Sequence, residues 1–220
     1  MTTKEIKVYR DLMGANEEWA AKTRELLAEK GVLMINLIGS PGAGKTTLLE
    51  GMGDMLGQSM KFAVLEGDVE TTRDAERIQK IGVPVSQLLS GGACHLEAKL
   101  VHYALQDLDL DELDLVVVEN VGNMVCPAEF DIGEHAKIAV LSIAEGDDKP
   151  LKYPLLFQES KAAVLSKVDL LPYIPFDLPA CRSYIEQVNA ALPIFEVSGL
   201  KQEGLEDFVS WLKSIDEWKK

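Results

Sequence analysis

Apolar and polar positions along this chain come in blocks. Over residues 5–30 the apolar side chains Val8, Leu12, Trp19, Ala20, Leu26 and Leu27 recur at roughly helical spacing, and Gly31 follows. That pattern predicts one helix ended by a glycine. Beyond it the apolar residues gather into short continuous runs at 32–38, 62–65, 84–89, 115–118, 138–143, 162–165 and 194–197. Runs of this length, closed by Gly, Ser or acidic residues, read as strands buried on both faces. Helical patterns fall between most of them, at 46–50, 70–81, 94–107, 179–190 and 203–218. Alternating strands and helices predict an α/β fold of three layers, with a mostly parallel sheet of about seven strands flanked by helices. We expect a helical appendage at 1–31 and a single α/β domain at 32–220, because no repeat, low-complexity tract or linker divides the rest.

In such a sheet the ligand sits at the carboxyl ends of the strands, and nearly every polar motif here follows a strand. The first is Gly39-Ser40-Pro41-Gly42-Ala43-Gly44-Lys45-Thr46, which fits the phosphate-binding loop G-x-x-x-x-G-K-[ST]. The run at 32–38 supplies the preceding strand, and Thr46-Thr47-Leu48-Leu49-Glu50 the departing helix. Glycines let backbone N–H groups turn inward around a polyphosphate, and the helix N-terminus adds partial positive charge. Gly39, Gly42, Ala43, Gly44, Lys45, Thr46 and Thr47 are therefore expected nucleotide contacts. Lys45 would neutralise β/γ-phosphate charge and Thr46 would hold Mg²⁺. This predicts a P-loop NTPase.

Three later motifs stand where a P-loop GTPase uses them. Asp114 to Gly122 runs through an apolar strand into Glu119 and then Gly122 and resembles D-x-x-G, with Glu in place of the usual Asp. Glu119 would approach Mg²⁺ and the Gly122 N–H would sense the γ-phosphate. Ser166-Lys167-Val168-Asp169 resembles the guanine-reading N-K-x-D, with Ser in place of Asn. Asp169 could accept from guanine N1 and N2, donors that adenine lacks, while the Lys167 stem lies along the base. Val197-Ser198-Gly199-Leu200 resembles the loop that contacts the guanine O6. Asp68, closing Glu66-Gly67-Asp68, is a candidate Mg²⁺ ligand or water positioner, or alternatively a cap for the helix at 70–81. Lys45, Asp68 and Glu119 are the candidate catalytic set. No arginine finger stands out, so slow intrinsic turnover is expected.

Charge narrows the partners. The 220 residues carry a net charge of −14 and a pI near 4.7, which suits neither a nucleic-acid backbone nor an anionic membrane surface. No apolar run has the length of a membrane span, and the N-terminus lacks a signal-peptide core. The three cysteines, Cys94, Cys126 and Cys181, read as reduced thiols of a cytoplasmic protein. Cys94-His95 follows the glycine-rich Ser90-Gly91-Gly92-Ala93 at the expected start of a helix, and Cys126 lies just past Gly122. Thiolate and imidazole suit Ni²⁺ and Zn²⁺. Three ligands fall short of a closed tetrahedral site, so a two-fold dimer could pool two sets or leave a position open for transfer. Cys181 reads as packing, and His102 and His135 are unassigned.

Taken in order, Gly39 to Thr46, Cys94-His95-Leu96-Glu97-Ala98, Glu119-Asn120-Val121-Gly122-Asn123, Cys126-Pro127-Ala128-Glu129-Phe130-Asp131 and Glu145-Gly146-Asp147-Asp148-Lys149-Pro150 closely resemble the HypB family, nickel-incorporation GTPases of [NiFe]-hydrogenase maturation. The resemblance runs from about residue 30 to the C-terminus. It implies a dimerising GTPase of the SIMIBI class of P-loop proteins, with GTP/GDP and Mg²⁺ as cofactors. It also implies a homodimer promoted by GTP and a nickel or zinc site of Cys94, His95 and Cys126 at its interface. The implied partners are a HypA-like metallochaperone and the hydrogenase large subunit. Two features of some members are missing: no Cys-x-x-Cys-Gly-Cys motif precedes Cys94, and only three histidines are present, so metal storage is not expected. The urease accessory GTPase UreG is the nearest rival, but its Cys-Pro-His motif differs from the adjacent Cys94-His95 and from Cys126-Pro127.

Overall fold

The computed structural model describes residues 3–57, 59–68 and 73–215, with side chains from residue 14 onward. Val8 and Leu12 of the first helical pattern therefore lie outside the described side chains. In chain order the elements are α1 (Thr3–Lys30), β1 (Leu33–Ile38), α2 (Lys45–Leu56), β2 (Phe62–Asp68), α3 (Arg73–Lys80), β3 (Val85–Leu89), α4 (Ala98–Gln106), β4 (Leu115–Glu119), α5 (Cys126–Glu129), β5 (Ala136–Ser142), α6 (Lys149–Lys152), α7 (Pro154–Glu159), β6 (Ser160–Ser166), α8 (Leu178–Val188), β7 (Ile194–Val197) and α9 (Leu205–Lys213). The strands form one seven-stranded sheet in the order β3-β2-β4-β1-β5-β6-β7. Every pairing is parallel.

Side chains alternate across a strand, so a strand covered on both faces needs apolar residues at every position. β1 shows this: Leu33, Ile35 and Leu37 enter one core and Met34 and Ile38 the opposite ones. The first core is closed by α2, α3 and α9 through Leu48, Leu49, Met52, Ile78, Phe208 and Leu212. Burial of a side chain such as Phe208 stabilises the fold by about 1.5–3 kcal/mol. The other face is covered by α1 and α4 at one end, through Leu27, Val101 and Leu105, and by α7 and α8 at the other, through Leu156, Phe157, Cys181 and Ile185. α1 packs on α4, where Trp19 lies 5.3 Å from Tyr103 and Thr23 Oγ1 is 3.3 Å from His102 Nδ1.

Element bounds differ from the sequence reading in instructive places. The helix expected over 94–107 starts only at Ala98. Gly91 and Gly92 turn the chain with positive φ, and Leu96 is buried on the far side of the sheet, so Cys94 and His95 lie in irregular chain ahead of the helix. Pro84 stays outside β3, since it has no N–H for the ladder. Of the helix expected over 70–81, the described part is α3 from Arg73; residues 70–72 lie outside the described residues, as do 216–218 at the end of the last helix. α5, α6 and α7 are too short for periodicity to reveal.

Candidate functional site

The phosphate-binding loop leaves the buried end of β1, the central strand of the sheet, with β5 on one side and β4 on the other. Gly42 and Gly44 both adopt positive φ, 74° and 91°, a conformation that L side chains rarely take. This curls the loop over the first turn of α2. Lys45 is buried, and its Nζ donates to the carbonyls of Gly39 and Ser40, each at 3.3 Å. Burial lowers its pKa. Thr46 Oγ1 donates to Glu119 Oε1 at 2.9 Å.

Adjacent strands then assemble acids that the chain keeps far apart. β2 and β4 are neighbours with Glu66 paired to Glu119, so the two side chains leave the sheet on the same face. Both are buried, and one carboxylate oxygen of each, Oε2, has no hydrogen-bond partner among the described residues. Burial pushes Glu119 up to about 7. Burial, and then repulsion from Glu119 and Asp68, pushes Glu66 up to about 8. Together with Asp68 and Asp74 they line a cleft of about 390 Å³ with Gly42, Lys45, Thr46, Gly122 and Lys167. A divalent cation would supply the charge that Glu119 Oε2 and Glu66 Oε2 lack, so Thr46, Asp68 and Glu119 fit Mg²⁺.

Sequence reasoning missed two residues of this cleft. Glu66 is hidden within a strand, and its partnership with Glu119 depends on strand order. Arg77, on α3, turns its guanidinium toward the cleft and donates to Glu50 (2.7 and 3.0 Å), to Asp74 (3.0 Å) and to Thr47 Oγ1 (3.1 Å). Its only sequence signal is an arginine on the helix that follows β2.

A second, more apolar pocket of about 250 Å³ adjoins the first, between Gly44, Thr47, Leu48, Lys167, Asp169, Gly199 and Leu200. Lys167 has φ of 62° and donates through Nζ to the Gly42 carbonyl at 2.5 Å. Ser198 Oγ donates to Asp169 Oδ1 at 2.7 Å, which joins the two segments expected to read the base. Ser166 does something else: its buried Oγ donates to the Ala43 carbonyl at 2.5 Å. It ties the phosphate loop to the end of β6, while Ser166 itself also lines this second pocket. A larger cavity, about 610 Å³ between Arg24, Glu134 and Lys161, contains none of the expected site residues.

The metal-ligand candidates converge. Cys94 Sγ lies 2.7 Å from Cys126 Sγ and 3.6 Å from His95 Nδ1. The three ligand atoms all fall within 4.8 Å of one another, and no other such group occurs among the described residues. Cys94 is exposed and Cys126 half-buried, whereas structural cysteines are among the most buried residues. His95 stacks on Phe130 with centroids 3.7 Å apart, and burial lowers its pKa, which favours the neutral, ligating imidazole. Cys181 is fully buried in α8, and burial pushes its thiol up to about 12. His135 Nδ1 accepts from the Met34 N–H at 3.0 Å.

Fold and loop together define a P-loop nucleotide-binding protein. The profile of the CobW/HypB/UreG nucleotide-binding domain matches residues 33–196. The hydrogenase maturation factor HypB of Azotobacter vinelandii is 43% identical over 208 residues, 94% of this chain and 69% of that protein. HypB of Escherichia coli K12 is 43% identical over 209 residues, 95% of this chain and 72% of that protein. A crystal structure of Helicobacter pylori HypB in complex with nickel superposes with a TM-score of 0.88 at 38% identity, covering 92% of this chain and 95% of that one. Archaeoglobus fulgidus HypB superposes at 0.87 with 31% identity over 93% and 100%. This chain belongs to the HypB family of hydrogenase maturation factors.

Proposed function

We propose that this protein is a Mg²⁺-dependent GTPase that converts GTP and water to GDP and phosphate and uses that cycle to gate metal binding at Cys94, His95 and Cys126. Nickel, with zinc as the competing ion, is its cargo, delivered during [NiFe]-hydrogenase maturation. The observation that carries the reading is the segment from Glu119 to Cys126. It begins in the phosphate cleft, passes Gly122 against the phosphate loop, and ends at a metal-ligand pair that closes to 2.7 Å. A nucleotide switch and a cargo site joined by so short a chain suit a protein that releases metal on hydrolysis.

Within the cleft, the loop amides and Lys45 bind the phosphates. Asp169 and Ser198 select guanine. Thr46, Asp68 and Glu119 hold Mg²⁺, which when bound neutralises charge developing on the β/γ-phosphate oxygens. Asp68 would orient the attacking water, and the Gly122 N–H would sense the γ-phosphate. The exposed apolar side chains Val125, which precedes Cys126, and Leu155, which lines one pocket with it, support a homodimer promoted by GTP that pools two ligand sets. A HypA-like metallochaperone would supply or receive the metal and the hydrogenase large subunit would take it, in a cytoplasm that keeps the thiols reduced. Among the described residues no helix is long and apolar enough to cross a membrane.

The test is a nickel titration of the protein locked with a non-hydrolysable GTP analogue against the GDP form, with mass measured in parallel. Gated delivery expects a dimer with altered nickel affinity in the GTP-like state. Identical nickel binding by monomers in both states would refute it.

A further inference from the structure

Asn123 touches the nucleotide loop and both halves of the cargo site. Its backbone forms an isolated antiparallel bridge with Gly39, the first residue of the phosphate-binding loop. Its side chain faces the opposite way: Nδ2 donates to the Cys94 carbonyl at 3.1 Å, and Oδ1 accepts from the Val125 N–H at 2.9 Å, one residue before Cys126. On one side of it, Gly122 lies so close to the loop that a Cβ there would stand 2.6 Å from Pro41 Cγ and 2.8 Å from Pro41 N. On the other side, Met124 is buried beside Ile38, the residue before Gly39. Asn123 therefore has little freedom to move independently of the phosphate loop.

The ligand pair as it stands is closer than a bound ion would allow. The sulfurs of Cys94 and Cys126 lie 2.7 Å apart. Two thiolates each at about 2.3 Å from a tetrahedral ion need a separation of roughly 3.7 Å. Taking up metal means opening the pair by about an ångström. Asn123 holds the backbone of one sulfur directly and the turn leading to the other, so a shift of the loop at Gly39 reaches both at once.

We propose that Asn123 is the positioning residue that couples nucleotide state to metal affinity, by setting the Cys94–Cys126 separation from the phosphate loop. It neither ligates metal nor contacts phosphate; it transmits. The inference rests on the proposed gating of cargo by nucleotide and names the residue through which gating passes. Coupling between two sites is reciprocal, so the factor by which a GTP analogue changes nickel affinity equals the factor by which nickel changes affinity for the analogue, commonly 5- to 150-fold in either direction.

The experiment measures that factor both ways, by nickel titration of the analogue and GDP forms and by analogue titration with and without nickel, in the wild type, Asn123→Asp and Asn123→Ser. Asn123→Asp keeps the acceptor for Val125 and loses the donor to Cys94, while Asn123→Ser is the neutral control should the added charge unfold the chain. Any direct effect of that charge on nickel acts in both nucleotide states and cancels in the ratio. The expected result is a coupling factor of about five or more in the wild type and near one in the variants, each of which still binds nickel and nucleotide separately. A coupled wild type with equally coupled variants overturns the role of Asn123 and leaves gating intact. Variants that bind nickel in neither state also overturn it, because Asn123 would then build the site without transmitting to it. A wild type with a factor of one overturns the gating reading itself, and this inference with it.

Discussion

Glu66 offers a sharp test of the electrostatics of the cleft. Its carboxyl is displaced from an ordinary value of 4.5 to about 8. At about 1.36 kcal/mol per pH unit that displacement corresponds to about 5 kcal/mol, an upper bound that water entry and side-chain relaxation reduce to about half. The sign follows from proton counting. Between the unfolded value of 4.5 and about 8 the folded chain holds a proton that the unfolded chain has released, so stability is highest below pH 4.5 and falls as pH rises toward 8. Glu66→Gln replaces the protonated acid with a neutral isostere and removes this slope. Without nucleotide or divalent cation, the variant should match the wild type near pH 5 and exceed it by about 2–3 kcal/mol at pH 8. For a chain of this size that is roughly 4–12 °C in melting temperature. Thermal melts followed by circular dichroism across pH 5–9 read it directly. Mg²⁺ with GDP should raise the wild type more than the variant, because the cation supplies the charge that two buried carboxylates lack. A wild-type melting temperature independent of pH, or a variant that tracks it in parallel, would refute the argument that Glu66 is held protonated by burial beside Glu119.

Other substitutions separate the roles. Cys94→Ser should weaken nickel binding by at least about tenfold in calorimetry and, being exposed, change stability by no more than about 0.5 kcal/mol, whereas Cys181→Ser, fully buried, should cost about 1–3 kcal/mol and leave nickel binding alone. Asp169→Asn should reduce GDP affinity by about 1.5–3 kcal/mol, the worth of hydrogen bonds to a charged acceptor, and improve binding of xanthosine diphosphate, whose carbonyl at the 2-position accepts from the new amide; fluorescence titration with both nucleotides decides. Gly122→Ala pushes a Cβ into Pro41 and should cost about 1–3 kcal/mol through overpacking, read as weaker binding of the GTP analogue; unchanged affinity would show that loop and segment separate freely.

How much of this was legible in the sequence follows from the range of each interaction. The loop from Gly39 to Thr46 carries its meaning in eight consecutive residues, with a strand before it and a helix after it, so local pattern suffices. The strands were legible for the same reason: a parallel sheet covered on both faces demands continuous apolar runs. Strand order was not, and order decides the chemistry. Glu66 follows the apolar run of β2 and looks like its polar end; only the adjacency of β2 to β4 sets it beside Glu119. Ser166 shows the same limit. Beside its place in a motif that resembles N-K-x-D, its hydroxyl reaches back 123 residues to the Ala43 carbonyl. That tie to the phosphate loop could not be read from a four-residue pattern. Helical spacing carried the predicted α4 back to residue 94, because it could not register that Leu96 is pulled against Gly67, where a Cβ would meet Leu96 Cδ1 at 2.8 Å. That contact strips Cys94 and His95 of helical geometry and frees them to face Cys126. The candidate metal site was thus legible in its residue types and not in its shape: two thiols and an imidazole suit a soft divalent ion, but only the folded chain brings their ligand atoms within 4.8 Å of one another.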